Sequence, residues 1–251
     1  MHDFQPATGW EADPVFPGAC DMLPDIPTMS TTRLQLDLLL QESPIDLAAV
    51  SAVVLSDVGA TLQILRLVGE EFTSDEGRPT RMEDCLASLS LERCYQAVAA
   101  CSLAQDDLML VEWQRLRRVA ECARNLAEWT RGVSPTEAYL VGLLSEVGRL
   151  PELLGWGKPT RTTSEQVKVG VMLVEHWNLP CYLTSAIRGQ HEESFNCPWS
   201  GFLTMAKRLA EADMSASDCV MSLATTGSGE SALEGLESRE RASLPGLSPA
   251  S

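Results

Sequence analysis

Two adjacent polar residues, Ser145 and Glu146, interrupt the apolar run Tyr139-Leu-Val-Gly-Leu-Leu-Ser-Glu-Val-Gly-Arg-Leu150, and a histidine, His191, follows Gly189-Gln190 further on. A serine, a histidine and a carboxylate are the parts of a hydrolase triad: nucleophile, base and orienting group. The surroundings argue against that use. Ser145 falls within a helical pattern rather than on a strained turn, and no G-x-S-x-G elbow is present. His191 with Glu146, Glu192 or Glu193 can also be drawn as a weak cation site. A hydrolytic centre, however, needs several neutral imidazoles and carboxylates converging on one ion, with a position open to water. The chain has three histidines in all, and of the other two His2 lies near the start while His176 reads as a half-exposed helix residue. No metal and no cofactor is expected. Gly155-Trp-Gly and Gly227-Ser-Gly have neither the spacing nor the flanking strand of a phosphate loop.

The elements that must hold these residues are helices. Ser134-Pro135-Thr136-Glu137 is a capping box with proline where its missing N–H is harmless, so a helix is predicted from about Pro135 with Leu140, Leu143, Leu144 and Val147 on one face. Ser145 and Glu146 sit at its far end. Asp106-Asp107 opens a long helix to about Thr130, with one seam through Trp113, Leu116, Ala120, Ala123 and Ala127 and a second through Val119, Cys122 and Leu126; Arg115 stands above the second. Ser164 is predicted to cap a helix to about Asn178, with Val167, Gly170, Val171 and Val174 inside, which puts Gln166 in its first turn. Upstream, Ser30 is predicted to cap a helix to about Gln41. Asp46 caps a short one with Leu47, Val50 and Val54 facing in, and Ser56-Asp57-Val-Gly59 leads into another carrying Leu62, Leu65, Val68 and Phe72. Helices follow over Met82–Leu89, Leu91 to about Leu103, Cys181 to about Gln190 and Trp199 to about Ala212. No alternating strand pattern is present, so the fold class is all-α.

Composition sets the wider bounds. With 251 residues and 45% hydrophobic side chains the chain can fill an ordinary core, while a net charge of −16 argues against a phosphate-backbone binder and so against nucleic acid. No segment approaches a membrane span, the start lacks the basic and apolar regions of a signal peptide, and a cytoplasmic location is expected. None of the eight cysteines forms a C-x-x-C pair; Cys94 and Cys101 fall on one stripe with Leu91, Tyr95 and Val98 and read as small core residues, as do Cys122 and Cys181. Residues 1–22 are expected to be an irregular arm, 23–213 a helical domain, and 214–251 a tail without sustained period.

This order of features resembles the HDOD family, the HD-related output domain of bacterial signalling proteins and a branch of the HD phosphohydrolase superfamily. Leu23-Pro-Asp-Ile-Pro27 is similar to the family's Pro-rich lead-in, and Ser56-Asp-Val-Gly-Ala-Thr-Leu-Gln-Ile-Leu-Arg-Leu-Val68 to its "QDPALAARLLRLAN" stretch. Glu137 to Leu150 matches a segment reading roughly "EAFLAGLLHDIGKL", Gly170 to Pro180 continues the likeness, and Ala186-Ile-Arg-Gly-Gln-His-Glu192 is near the ending "AIRxHH". The departures fall on the metal ligands. Ser145-Glu146 stands at the His-Asp dyad, Arg115 at an upstream histidine, Gln166 at a third, and Gly189-Gln190-His191 at the "HH".

The resemblance implies a compact multi-helix HD-domain-like bundle whose former metal pocket, comprising Arg115, Ser145, Glu146, Gln166, Gln190 and His191, has lost its ligands. In place of a metal, Arg115 and Glu146 are expected to form a buried pair, helped by Gln166 and Ser145. The function implied is a non-catalytic regulatory or output module that binds signalling proteins, with company such as receiver domains, cyclic-dinucleotide enzymes or motility components. Two alternatives stand beside it: a metal-dependent phosphohydrolase with a degenerate site, and a nucleotide or small-ligand sensor using the old pocket. Trp156 and Trp199 are candidate interface anchors, and homo-oligomers are compatible with this reading.

Overall fold

Aspartates, serines and a threonine cap six of the α-helices through their side chains, and these caps lay out the chain. The computed structural model describes residues 26–155, 162–190 and 198–212. Helices α1 (Ser30–Leu39), α2 (Leu47–Leu55), α3 (Val58–Glu71), α4 (Met82–Leu89) and α5 (Leu91–Ala100) form the first half. The second is built from α6 (Asp107–Ala127), α7 (Pro135–Leu143), a 3-10 turn (Val147–Arg149), α8 (Leu150–Leu153), α9 (Thr163–His176), α10 (Cys181–Gly189) and α11 (Pro198–Glu211). The fold is all-α; among the described residues the only sheet-like pairing is one parallel bridge between Thr28 and Leu103. No single helix there is long and apolar enough to cross a membrane.

The Asp46 carboxylate accepts from the Ala48 and Ala49 amides at 2.9 and 3.3 Å, and Asp106 accepts from Leu108 at 2.9 Å. Two expected caps are different. Met29, not Ser30, is the N-cap of α1; its thioether makes no cap bond, and its amide donates to Asp57 from across the fold. Thr162, not Ser164, caps α9, in a reciprocal box with Glu165 that leaves Ser164 outside the bonding pattern. Val50 and Val54 turn inward as expected, but Leu47, in the first turn of α2, is exposed. Cys85, Cys94 and Cys101 are buried and Cys122 is half-buried, whereas Cys181 opens α10 and is exposed rather than in the core.

Asp57 sits where α2 and α3 meet at a bend of 114°. It is fully buried, and its carboxylate gathers four N–H donors: Met29 at 2.7 Å, Gly59 at 2.9 Å, Ala60 at 3.4 Å and the Trp113 indole at 3.2 Å. The last of these comes from α6, so one carboxylate ties the lead-in, the α2–α3 corner and the second half together. Tyr139 on α7 adds a second tie, its hydroxyl donating to the Leu55 carbonyl at 2.9 Å. A third lies below. Arg78 donates to the Asn178 carbonyl at 2.7 Å, and the Asn178 amide reaches Gly69 at 2.6 Å and Phe72 at 3.2 Å.

The two seams predicted for α6 are the ones it uses. Trp113, Leu116, Ala120, Ala123 and Ala127 are buried, and α7 lies so close that a Cβ on Gly142 would fall 2.7 Å from Ala120 Cα. That approach fixes where the chain emerges from α7, and therefore where Ser145 and Glu146 stand.

Candidate functional site

The Ser145–Glu146 pair does not lie inside α7. The helix stops at Leu143; Leu144 is at φ −100°, ψ 8° and Glu146 at φ −120°, ψ 27°, outside helical geometry, before the 3-10 turn resumes at Val147. The reason lies two residues on. A Cβ at Gly148 would fall 1.8 Å from the Gln166 carbonyl oxygen and 2.9 Å from the Gly170 amide, so the chain leaves its helical path to pass directly against the α9 backbone. Gly148→Ala is expected to lower stability by about 1–3 kcal/mol through overpacking, read as a fall in melting temperature by calorimetry; an unchanged melting temperature would show that the turn can move away from α9.

Five charged side chains converge at this turn. From α6, Arg115 donates through Nε and Nη2 to both Glu112 oxygens at 3.0 and 2.7 Å, and Nη2 also contacts Glu146 Oε2. Arg149 Nη1 donates to the same two carboxylates at 2.8 and 2.9 Å. Lys207 on α11 lies 3.1 Å from Glu146 Oε1 and donates to Gln190 Oε1 at 2.8 Å, and Gln190 Nε2 donates to the Ser145 carbonyl at 2.8 Å. Two guanidiniums therefore bridge two carboxylates, and an ammonium closes the remaining oxygen. The cluster holds three cations against two anions.

The carboxylates are largely shielded, with side-chain exposures of 12% for Glu112 and 17% for Glu146. Burial alone would raise the Glu146 pKa, but Lys207, Arg149 and Arg115 outweigh it and hold the group at about 2. The Glu112 hydrogen bonds, joined by the charge of Glu146, push the Arg115 guanidinium above its usual range in spite of burial. The sign for stability follows. A depressed carboxyl pKa contributes stability that is fully present above the ordinary value of 4.5 and is lost as pH falls toward 2. That contribution is on the order of 3 kcal/mol. Acid unfolding followed by circular dichroism between pH 5 and 2 is expected to show it, and Glu146→Gln should flatten the curve across that window. A variant curve parallel to the wild-type one would refute the assignment.

The structure brings Arg115 and Glu146 into contact, with partners that differ from those expected. The Ser145 hydroxyl is buried and has no hydrogen-bond partner, and the Gln166 side chain makes no hydrogen bond among the described residues. Both instead line an open cavity of about 370 Å³ together with Glu146, Arg149, Gln190 and Lys207. His191 and Trp156 lie outside the described residues. Trp199 is buried at 8% exposure, edge-on to Phe202 with ring centroids 5.7 Å apart, so it serves the core rather than an exposed interface. Glu112, Arg149 and Lys207 are absent from the expectations drawn from the sequence. Among the described residues, no three His, Cys, Asp or Glu side chains are placed to hold one ion.

Comparison with known proteins gives a family and a fold. Residues 26–155 match the HDOD domain. No curated protein matches the chain. Among solved structures, the MmoQ response regulator from Methylococcus capsulatus str. Bath is similar at 19% identity and a TM-score of 0.61, over 75% of this chain and 87% of that one. A virulence factor from Campylobacter jejuni subsp. jejuni is similar at 14% identity and a TM-score of 0.53, over 80% of this chain and 86% of that one. At these identities the likeness is one of fold.

Proposed function

The chain belongs to the HDOD domain family, and on that premise we propose that it is a non-catalytic regulatory output module in signal transduction that acts by binding other proteins. One observation carries the reading. At the position of the family's metal-binding dyad, both oxygens of Glu146 are already taken by Lys207, Arg115 and Arg149, so a divalent cation would meet three positive charges instead of free ligands. A carboxylate saturated in this way neither polarises a water nor holds an ion, and what it can do is fix the geometry of α6, the 3-10 turn and α11 together. The net charge of −16 favours a protein partner over nucleic acid. The test is elemental analysis of the purified protein with phosphatase and phosphodiesterase assays in added manganese, followed by capture of partners from the native cell. The expected result is metal far below one equivalent, no turnover and a reproducible protein partner. Stoichiometric metal with metal-dependent hydrolysis would overturn the reading and favour the degenerate phosphohydrolase.

A further inference from the structure

The cavity beside the charge cluster is lined by groups that the cluster does not use. Arg149 commits only Nη1 to the carboxylates; its Nε and Nη2 make no hydrogen bond among the described residues, and its side chain is 33% exposed. Among the described residues Lys207 gives two of its three N–H bonds, to Glu146 and Gln190. The Gln166 amide is unpartnered within the described residues. Ser145 lines the same cavity, is 5% exposed, and carries a hydroxyl with no partner. The hydroxyl is itself shielded from solvent; left unpaired it costs about 1–3 kcal/mol, and a rotation about χ1 that turned it toward a ligand oxygen would recover that.

The sign of the cavity follows from which groups are spent. Glu146 also lines it, but both its oxygens are engaged, whereas the free valences are predominantly donors on two cations, an amide and a hydroxyl. In a chain of net charge −16 this is a locally positive concavity, with one surplus cation in its charge cluster. Val167 and Ile187 add apolar lining, and a volume of about 370 Å³ is that of a small-molecule site. Planar guanidinium N–H groups beside an ammonium and a hydroxyl are the chemistry that recognises a phosphoryl group.

We infer that this cavity binds a phosphorylated small molecule, its phosphate held by Arg149, Lys207 and Ser145 and its body against Gln166, Val167 and Ile187. The inference rests on the non-catalytic reading in that the ligand is held, not hydrolysed. Occupancy would add a bridge between the 3-10 turn and α11, the two elements that Lys207 already joins through Glu146, and so make their packing sensitive to ligand.

Titration calorimetry with inorganic phosphate, 5′-AMP and adenosine tests it on the full chain. Phosphate and AMP are expected to bind, and adenosine to bind at least about tenfold more weakly than AMP, a difference of about 1.4 kcal/mol. Gln166→Leu and Lys207→Met should each weaken AMP by about tenfold. Because Gln166 has no bond to the charge cluster, its variant keeps the fold and reads the site even if Lys207→Met unfolds. Absence of heat with both phosphate and AMP at millimolar concentration overturns the inference, as does equal affinity for adenosine and AMP or wild-type affinity in the Gln166 variant. Manganese-dependent release of phosphate from bound AMP would instead overturn the non-catalytic reading and leave the site standing.

Discussion

Asp57→Ala is expected to destabilise the protein by about 4 kcal/mol or more, the largest effect of any single substitution considered. Four N–H donors from four residues end on that carboxylate, and all lose their acceptor at once in a site of zero exposure. Each buried donor left unpaired costs about 1–3 kcal/mol. The loss also removes the N-cap of α3, typically worth ~1 kcal/mol. Asp57→Asn should fall between the two. Its oxygen can replace Oδ1, which serves Gly59, Ala60 and Trp113, but its NH2 then opposes the Met29 amide, donor against donor at 2.7 Å. Urea unfolding by circular dichroism, with tryptophan fluorescence as a second probe, gives all three values. An alanine variant within about 1 kcal/mol of wild type would mean that water replaces the carboxylate.

Glu146→Gln comes next, at roughly 3–5 kcal/mol, because it leaves Arg115, Arg149 and Lys207 facing the single carboxylate of Glu112. Arg115→Met should cost less, since Arg149 still spans both carboxylates and Lys207 still meets Glu146. The asymmetry distinguishes a hub from a pair. For an isolated Arg115–Glu146 pair the two substitutions would be equally damaging, and a double-mutant cycle would recover nearly all of either loss. Equal losses at neutral pH would therefore reject the hub.

The helices were legible wherever a short-range rule decides them. Asp46 and Asp106 cap because an acidic side chain precedes an apolar period, and the α6 seams follow from spacing alone. Thr162 was readable too, three residues before Glu165, but Ser164 also fits a cap and only the reciprocal bonding separates them. Met29 was not readable, because its amide partner is 28 residues away. At the site, Glu112 carried a signal: it falls on the buried stripe between Met109 and Leu116, where a carboxylate requires a cation, and Arg115 is three residues on. Arg149 stands in the same relation to Glu146. Lys207 left none, since only the packing of α11 against α6 brings it to Glu146. The end of α7 was hidden for a similar reason. Gly148 looks like a helix stop in sequence, and its true demand, a backbone–backbone approach to α9, is visible only in three dimensions.

The charge hub also limits what can stand at positions 145 and 146. Histidine and aspartate placed there, the pair that the resemblance aligns with these positions, would still have Arg115, Arg149 and Lys207 around them. An aspartate at 146 is one methylene shorter than Glu146 and would leave the cations without their full contacts, a loss in the direction expected for Glu146→Gln. Two substitutions therefore could not install a metal site on their own: stability depends on Glu146, and the three cations that it anchors would have to be removed with it.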